Sequence, residues 1–110
     1  MQKLVRRHLP GRLAVEIVDF FCKSGISVLD VSTLSQRIGA KPDATRAKMK
    51  DLTARGVLKS LGGDTFNYAP PPEIDEQIRA FLREWHNPLK QPRLLAMLLT
   101  SKAWQADGVA

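Results

Sequence analysis

The sequence predicts an α+β protein that is mostly helical. Five segments carry apolar residues at helical spacing, and two short β-prone runs flank a Gly62-Gly63-Asp64 tip. The chain has 110 residues, the length of one domain and enough for a single modest core. With 44% hydrophobic and 25% charged residues, the composition is that of a globular domain, so a wholly disordered chain is excluded.

Residues 1–11 read as a basic N-terminal arm that ends in the Pro10-Gly11 breaker. A first helix is expected over Arg12 to Lys23, where Leu13, Ile17, Phe20 and Phe21 follow the i, i+4, i+7, i+8 spacing. Ser24-Gly25 ends it, because glycine takes the left-handed cap that other residues avoid. Ile26 to Leu29 is short and β-branched and reads as one brief strand. Asp30 is placed to cap a second helix by accepting from the free amides of its first turn. Val31, Leu34 and Ile38 form the stripe of that helix, and Gly39 closes it.

Pro42 starts a third helix that runs to about Arg55. Its missing N–H has no partner in a first turn anyway, and Asp43 suits the positive helix end. Val57 to Leu61 and Thr65 to Ala69 form a β-hairpin around the glycine tip. Pro70-Pro71-Pro72 is a stiff spacer. Glu73 to Trp85 is the most clearly amphipathic segment, with Ile74, Ile78, Phe81, Leu82 and Trp85 on one face. After Pro92 a last apolar helix is expected over Arg93 to Gln105, followed by a frayed tail.

Charge is the most informative part of the composition. The net charge is +6, and it is unevenly placed: residues 1–60 hold 12 basic and 5 acidic side chains, whereas residues 61–110 hold 5 and 6. A positive field confined to one half points to a polyanionic partner for that half. Cys22 is the only cysteine, which excludes an intramolecular disulfide and a multi-cysteine zinc site; beside Phe20 and Phe21 it reads as a buried structural thiol. Glu16 and Asp19 interrupt the first apolar stretch, so no signal peptide is expected, and no apolar run has the length of a membrane span. The expected location is cytoplasmic, with no membrane partner.

From Asp30-Val31-Ser32-Thr33-Leu34-Ser35-Gln36-Arg37-Ile38-Gly39, through Ala54-Arg55-Gly56-Val57-Leu58, to a hairpin ending Phe66-Asn67-Tyr68-Ala69-Pro70, the chain resembles the winged helix-turn-helix domain of small bacterial transcriptional regulators. The resemblance spans about residues 12–70 and rests on core positions together with Gly39, Pro42 and Gly56. It implies a winged helix-turn-helix with a C-terminal helical extension at residues 73–105, and sequence-specific binding of double-stranded DNA. The third helix of such domains enters the major groove and reads bases with its N-terminal half.

The residues of that helix fit the role. At about 100° per residue, Lys48, Met49 and Leu52 fall within about 60° of Thr45 and form an inner stripe. Asp43, Ala47, Lys50 and Ala54 lie opposite, with Arg46 on one flank and Ala44 and Asp51 on the other. Small residues let a helix approach base edges closely, and long cations reach guanine edges or phosphates. The resemblance therefore implies DNA contacts by Arg46, Ala47 and Lys50, with Asp43 and Ala44 at the start of the helix. Arg37, Lys41, Lys48 and Lys59 are placed for phosphate. A basic helix face on its own is most often only solvated.

Two features depart from the pattern. The wing tip carries Asp64, a carboxylate that phosphates repel, so the wing is expected to contribute little. Lys41 stands where a capping Ser or Thr is usual, at a capping cost of about 1 kcal/mol.

Nothing in the sequence supports catalysis, a cofactor or a metal. His8 and His86 are far apart and lack metal-ligand spacing. His86 reads as a solvated cation at a helix end, and Glu73, Asp75 and Glu76 as a first turn matched to the helix dipole. The apolar C-terminal helices need a surface to cover them. Because operators are usually read by two-fold dimers, Ile78, Phe81, Leu82, Trp85, Leu94, Leu95, Leu98 and Trp104 are expected to build a homodimer interface. The alternative is a winged-helix module that docks a protein partner within a larger assembly, since fold alone does not settle function.

Overall fold

The computed structural model describes residues 2–99. Its order is α1 (Gln2–His8), α2 (Arg12–Ser24), β1 (Val28–Asp30), α3 (Val31–Ile38), α4 (Pro42–Ala54), β2 (Leu58–Gly62), β3 (Thr65–Tyr68), α5 (Pro72–Trp85) and α6 (Gln91–Leu98). The fold is α+β and mostly helical, with one three-stranded antiparallel sheet in the order β1-β3-β2. No helix among the described residues is long and apolar enough to cross a membrane.

The first segment corrects the sequence reading. Residues 1–11 were expected as a basic N-terminal arm, but they contain a helix, and Leu4, Val5 and Leu9 are buried in the core. Arg6 and Arg7 are exposed on the same helix. The adjacent arginines conceal an apolar i, i+1, i+5 pattern, and burial of those three side chains offsets the low intrinsic stability of so short a helix.

Helix α2 buries Ala14, Val15, Ile17, Val18 and Phe21, with Leu13 and Phe20 packed half-buried beside them. That face is broader than the expected stripe because α3, α4 and α5 all pack against it. Gly25 ends the helix at φ 71°, the left-handed conformation that needs no Cβ. Asp30 then serves two elements. Its backbone pairs with Thr65 at the end of β1, and its carboxylate accepts from Thr33 N–H at 2.8 Å, capping α3.

Gly39, also at φ 71°, closes α3, and three residues separate α3 from α4. Helix α4 buries Thr45, Met49 and Leu52. The Thr45 hydroxyl and N–H both donate to Lys41 O at 2.9 Å, so this buried polar side chain is satisfied and the first turn is tied to the residue before it. In the sheet, Leu29 lies opposite Phe66, and Leu58 opposite Tyr68; Leu29, Leu58 and Phe66 are buried. A register irregularity between Ser60 and Gly62 leaves Leu61 as the extra residue of β2, 51% exposed.

The C-terminal helices correct a second expectation. Ile78, Phe81, Leu82, Trp85, Leu94 and Leu98 are buried within this chain, and Leu95 is packed half-buried against the same core. Phe81 and Trp85 stack at 6.1 Å, and the Arg12 guanidinium lies 5.9 Å from the Trp85 ring. The six buried side chains are therefore core and are not presented to a second copy. Periodicity shows that a face must be covered without showing by what. Trp104 lies outside the described residues, as does most of the expected helix end and tail.

Because Leu9 is fully buried, Leu9→Ala should cost about 2–5 kcal/mol of unfolding free energy. Equilibrium urea denaturation measures this; a free arm would leave the midpoint unchanged.

Candidate nucleic-acid interface

The residues singled out in the sequence group around α4 and the turn before it. Asp43, Ala44, Ala47 and Lys50 are exposed along α4, and Arg37 and Lys41 are exposed at the turn. Lys59 is exposed on β2, opposite Asn67. Among the described residues, no carboxylate lies within 4.0 Å of Arg37, Lys41, Lys50 or Lys59. Ser32, Thr33 and Gln36 are exposed on α3, the helix that precedes this turn.

The remaining cations of α4 are engaged within the protein. On one flank, Arg46 donates from Nε and Nη2 to Asp64 Oδ1 and Oδ2 at 3.1 and 3.0 Å, and from Nη1 to Asp43 Oδ1 at 2.9 Å. The fork on Asp64 crosses from helix to hairpin tip. It holds the Asp64 carboxyl below the ordinary aspartate range, with the Lys50 ammonium adding to the effect, and it raises the Arg46 guanidinium in turn. Asp64 O also accepts from Val31 N–H at 2.9 Å, so one residue at the tip contacts the starts of both α3 and α4. This revises the expectation for the tip: the Asp64 charge is already matched by Arg46, and the tip is a joint between elements.

On the other flank, the Lys48 ammonium donates to Pro10 O at 2.7 Å. Lys48 was expected to reach phosphate; its half-buried side chain instead turns toward the N-terminal segment. Arg55 completes this seam. Its Nη1 donates to Arg6 O and Arg7 O at 2.8 and 3.1 Å, its Nε donates to Asp51 Oδ1 at 2.9 Å, and its carbonyl lies 3.2 Å from His8 Nδ1. Side-chain donors thus satisfy carbonyls at the end of α1 that have no helical partner. Neither Arg55 nor Asp64 was identified as a site residue from the sequence. Both act across long sequence separations, which no local spacing marks.

Away from α4, an open cleft of about 470 Å³ lies between α2 and α5, lined by Asp19, Cys22, Lys23, Arg79, Leu82, Arg83 and His86. His86 Nε2 lies 2.7 Å from Asp19 Oδ1, so this histidine has a carboxylate partner where a solvated cation was expected. Cys22 is half-buried, and burial raises its thiol above the ordinary cysteine range, which keeps it protonated. The Tyr68 hydroxyl donates to Asp75 Oδ1 at 2.7 Å and is likewise raised by burial and by that bond. Among the described residues, no group of three or more His, Cys, Asp and Glu side chains could hold a metal ion.

No protein-family model, curated protein or solved structure matches the chain.

The joint at the tip has a pH signature. Asp64 is depressed in the folded protein, so its contribution is complete above the unfolded value near 3.8 and is lost as pH falls through the lower folded value. Urea denaturation at a series of pH values should show wild-type stability falling below about pH 3.8, with a shallower fall in Asp64→Asn.

Proposed function

We propose that residues 12–70 form a winged helix-turn-helix that binds double-stranded DNA as a transcriptional regulator, with α4 in the major groove and the β2–β3 hairpin as the wing. The observation that carries this reading is the outer face of α4. It presents two small residues, Ala44 and Ala47, between Asp43 and Lys50, and the exposed cations Arg37 and Lys41 flank its N-terminal end. A helix of about 10–12 Å diameter fits the major groove, and small side chains on its outer face shorten the approach to the bases.

The roles divide by chemistry. Arg37, Lys41 and Lys59 supply phosphate contacts, which position the protein without reading sequence. Lys50 projects from the middle of the face as a mobile point charge. Arg46 is the residue best suited to a base edge. A homodimer on a two-fold site is part of this proposal, but its contact would lie outside the buried faces of α5 and α6. Among the described residues, Leu89 and Leu99 are the large apolar side chains of that region that remain exposed.

A second reading, a module that docks a protein partner, is favoured by one observation. Ile26, Val28 and Leu61 are each 44–51% exposed in or beside the small sheet, more apolar surface than a DNA-facing sheet needs.

Gel-shift titration separates the two readings. The DNA reading expects the full chain to bind a random duplex at about 50 mM salt and to release it steeply as salt rises. Lys50→Ala should weaken all duplexes alike and reduce the slope of log K against log salt by about 1 if Lys50 meets phosphate. An absence of any shift at about 50 mM salt would sink the DNA reading. Light scattering at micromolar concentration tests the dimer: a stable monomer that still binds half-sites removes the two-fold arrangement.

A further inference from the structure

Arg46 has five N–H bonds in a rigid plane. Asp64 takes two of them through Nε and Nη2, and Asp43 takes one from Nη1. One N–H therefore remains on each terminal nitrogen. A guanine edge accepts two N–H donors through O6 and N7 when they point the same way, as the remaining pair does with Asp43 on the Nη1 hydrogen turned away from Nη2. The side chain is 35% exposed and so is not sealed from a further partner.

The brace is itself held in place. Asp64 is fixed through its own backbone, which accepts from Val31 N–H at 2.9 Å, and through its neighbour Thr65, which is paired with both Asp30 and Gly62. Asp43 sits in the first turn of α4. The guanidinium is thus held between two carboxylates from two elements, where a free arginine would sample many rotamers. Holding it in place beforehand removes ordering entropy that binding would otherwise cost. Lys50, one turn further along α4, has no such partner within 4.0 Å among the described residues and keeps its freedom.

We propose that Asp64, together with Asp43, is a positioning residue for base recognition: the two carboxylates hold Arg46 so that its remaining N–H pair reads one guanine in each half-site. The proposal rests on the DNA-binding reading above. It assigns Asp64 a role opposite to the one its charge suggests. Electrostatics alone makes a carboxylate on a DNA-facing surface a liability, whose removal raises affinity for every duplex. Bracing makes the same carboxylate necessary for discrimination. The two effects separate in one variant.

The test uses the full chain and a random duplex pool at about 50 mM salt. Wild type should enrich a site containing a guanine whose replacement by adenine lowers affinity about 5- to 150-fold, the range for one bidentate contact. Replacing the same base by 7-deazaguanine, which lacks the N7 acceptor, should also lower it. Asp64→Ala should bind random duplex at least as well as wild type yet lose most of the guanine preference. Arg46→Lys keeps the charge without the fork, so it should keep the salt slope and lose the preference. Asp64→Asn keeps the side-chain shape and the backbone bond to Val31, and it serves if the alanine variant does not fold. Wild-type guanine preference in Asp64→Ala or Asp64→Asn overturns the bracing while leaving DNA binding intact, as does full preference in Arg46→Lys. If wild type binds no duplex, the DNA reading falls and this inference falls with it.

Discussion

A 13-residue helix with five buried side chains has to be covered on more than one side, and in this chain the covering comes from elements distant in sequence. Helix α2 is packed by α3, α4 and α5, while α1 joins the same core through Leu4 and Val5, followed by Leu9 just beyond its end. The position of α4 follows from that packing. Its inner stripe of Thr45, Met49 and Leu52 is fully buried, which leaves Asp43, Ala44, Ala47 and Lys50 facing outward. The candidate interface is thus a by-product of core burial. Apart from Asp43, which matches the positive helix end and pairs with Arg46, the outer face is not needed to stabilise the helix that carries it.

The helix is also secured along both flanks, and there charge is used structurally. Arg46 joins α4 to the hairpin tip, and Lys48 and Arg55 join it to the N-terminal segment. Among the described residues, five of the twelve basic side chains in the first 60 are therefore engaged with carboxylates or carbonyls of the same chain, since Arg12 also pairs with Glu16 and Lys23 with Asp19, each at 3.7 Å. Counting charges overstates the field offered to a polyanion, because a paired guanidinium projects far less potential than a free one. Among the described residues of that half, the exposed cations without a carboxylate within 4.0 Å are Arg6 and Arg7 on α1, Arg37 and Lys41 at the α3–α4 turn, Lys50 and Lys59.

Much of the fold was legible because its signals are local. Asp30, Gly25 and Gly39 mark helix ends through capping geometry that depends only on neighbouring residues, and the inner stripe of α4 follows from helical angles alone. The hairpin was legible from its glycine tip, although the pairing of β1 with β3 was not, since strands 37 residues apart leave no local trace. The errors share a cause. The apolar residues of α1 were masked by Arg6-Arg7, and those of α5 and α6 were assigned to a second copy. In both cases hydrophobicity states that a side chain will be covered but not by which surface. The candidate site divides the same way: the exposure of Lys50, Ala47 and Lys41 follows from helix geometry, whereas the Arg46–Asp64 fork and the Lys48–Pro10 contact depend on tertiary folding.

The seam between α4 and α1 bears on how such a chain diverges. Lys48 and Arg55 meet backbone carbonyls, not side chains, at Pro10, Arg6 and Arg7. The identities of residues 6 and 7 are therefore nearly free to drift, provided the helix persists, while positions 48 and 55 are bound to retain long donors. Without α1, Arg55 would lose Arg6 O and Arg7 O but keep Asp51. Lys50, a neighbour of Lys48 in sequence, answers to no such constraint from within. Two lysines two residues apart thus stand under different constraints, one tied to the N-terminal segment and the other set by whatever the outer face meets.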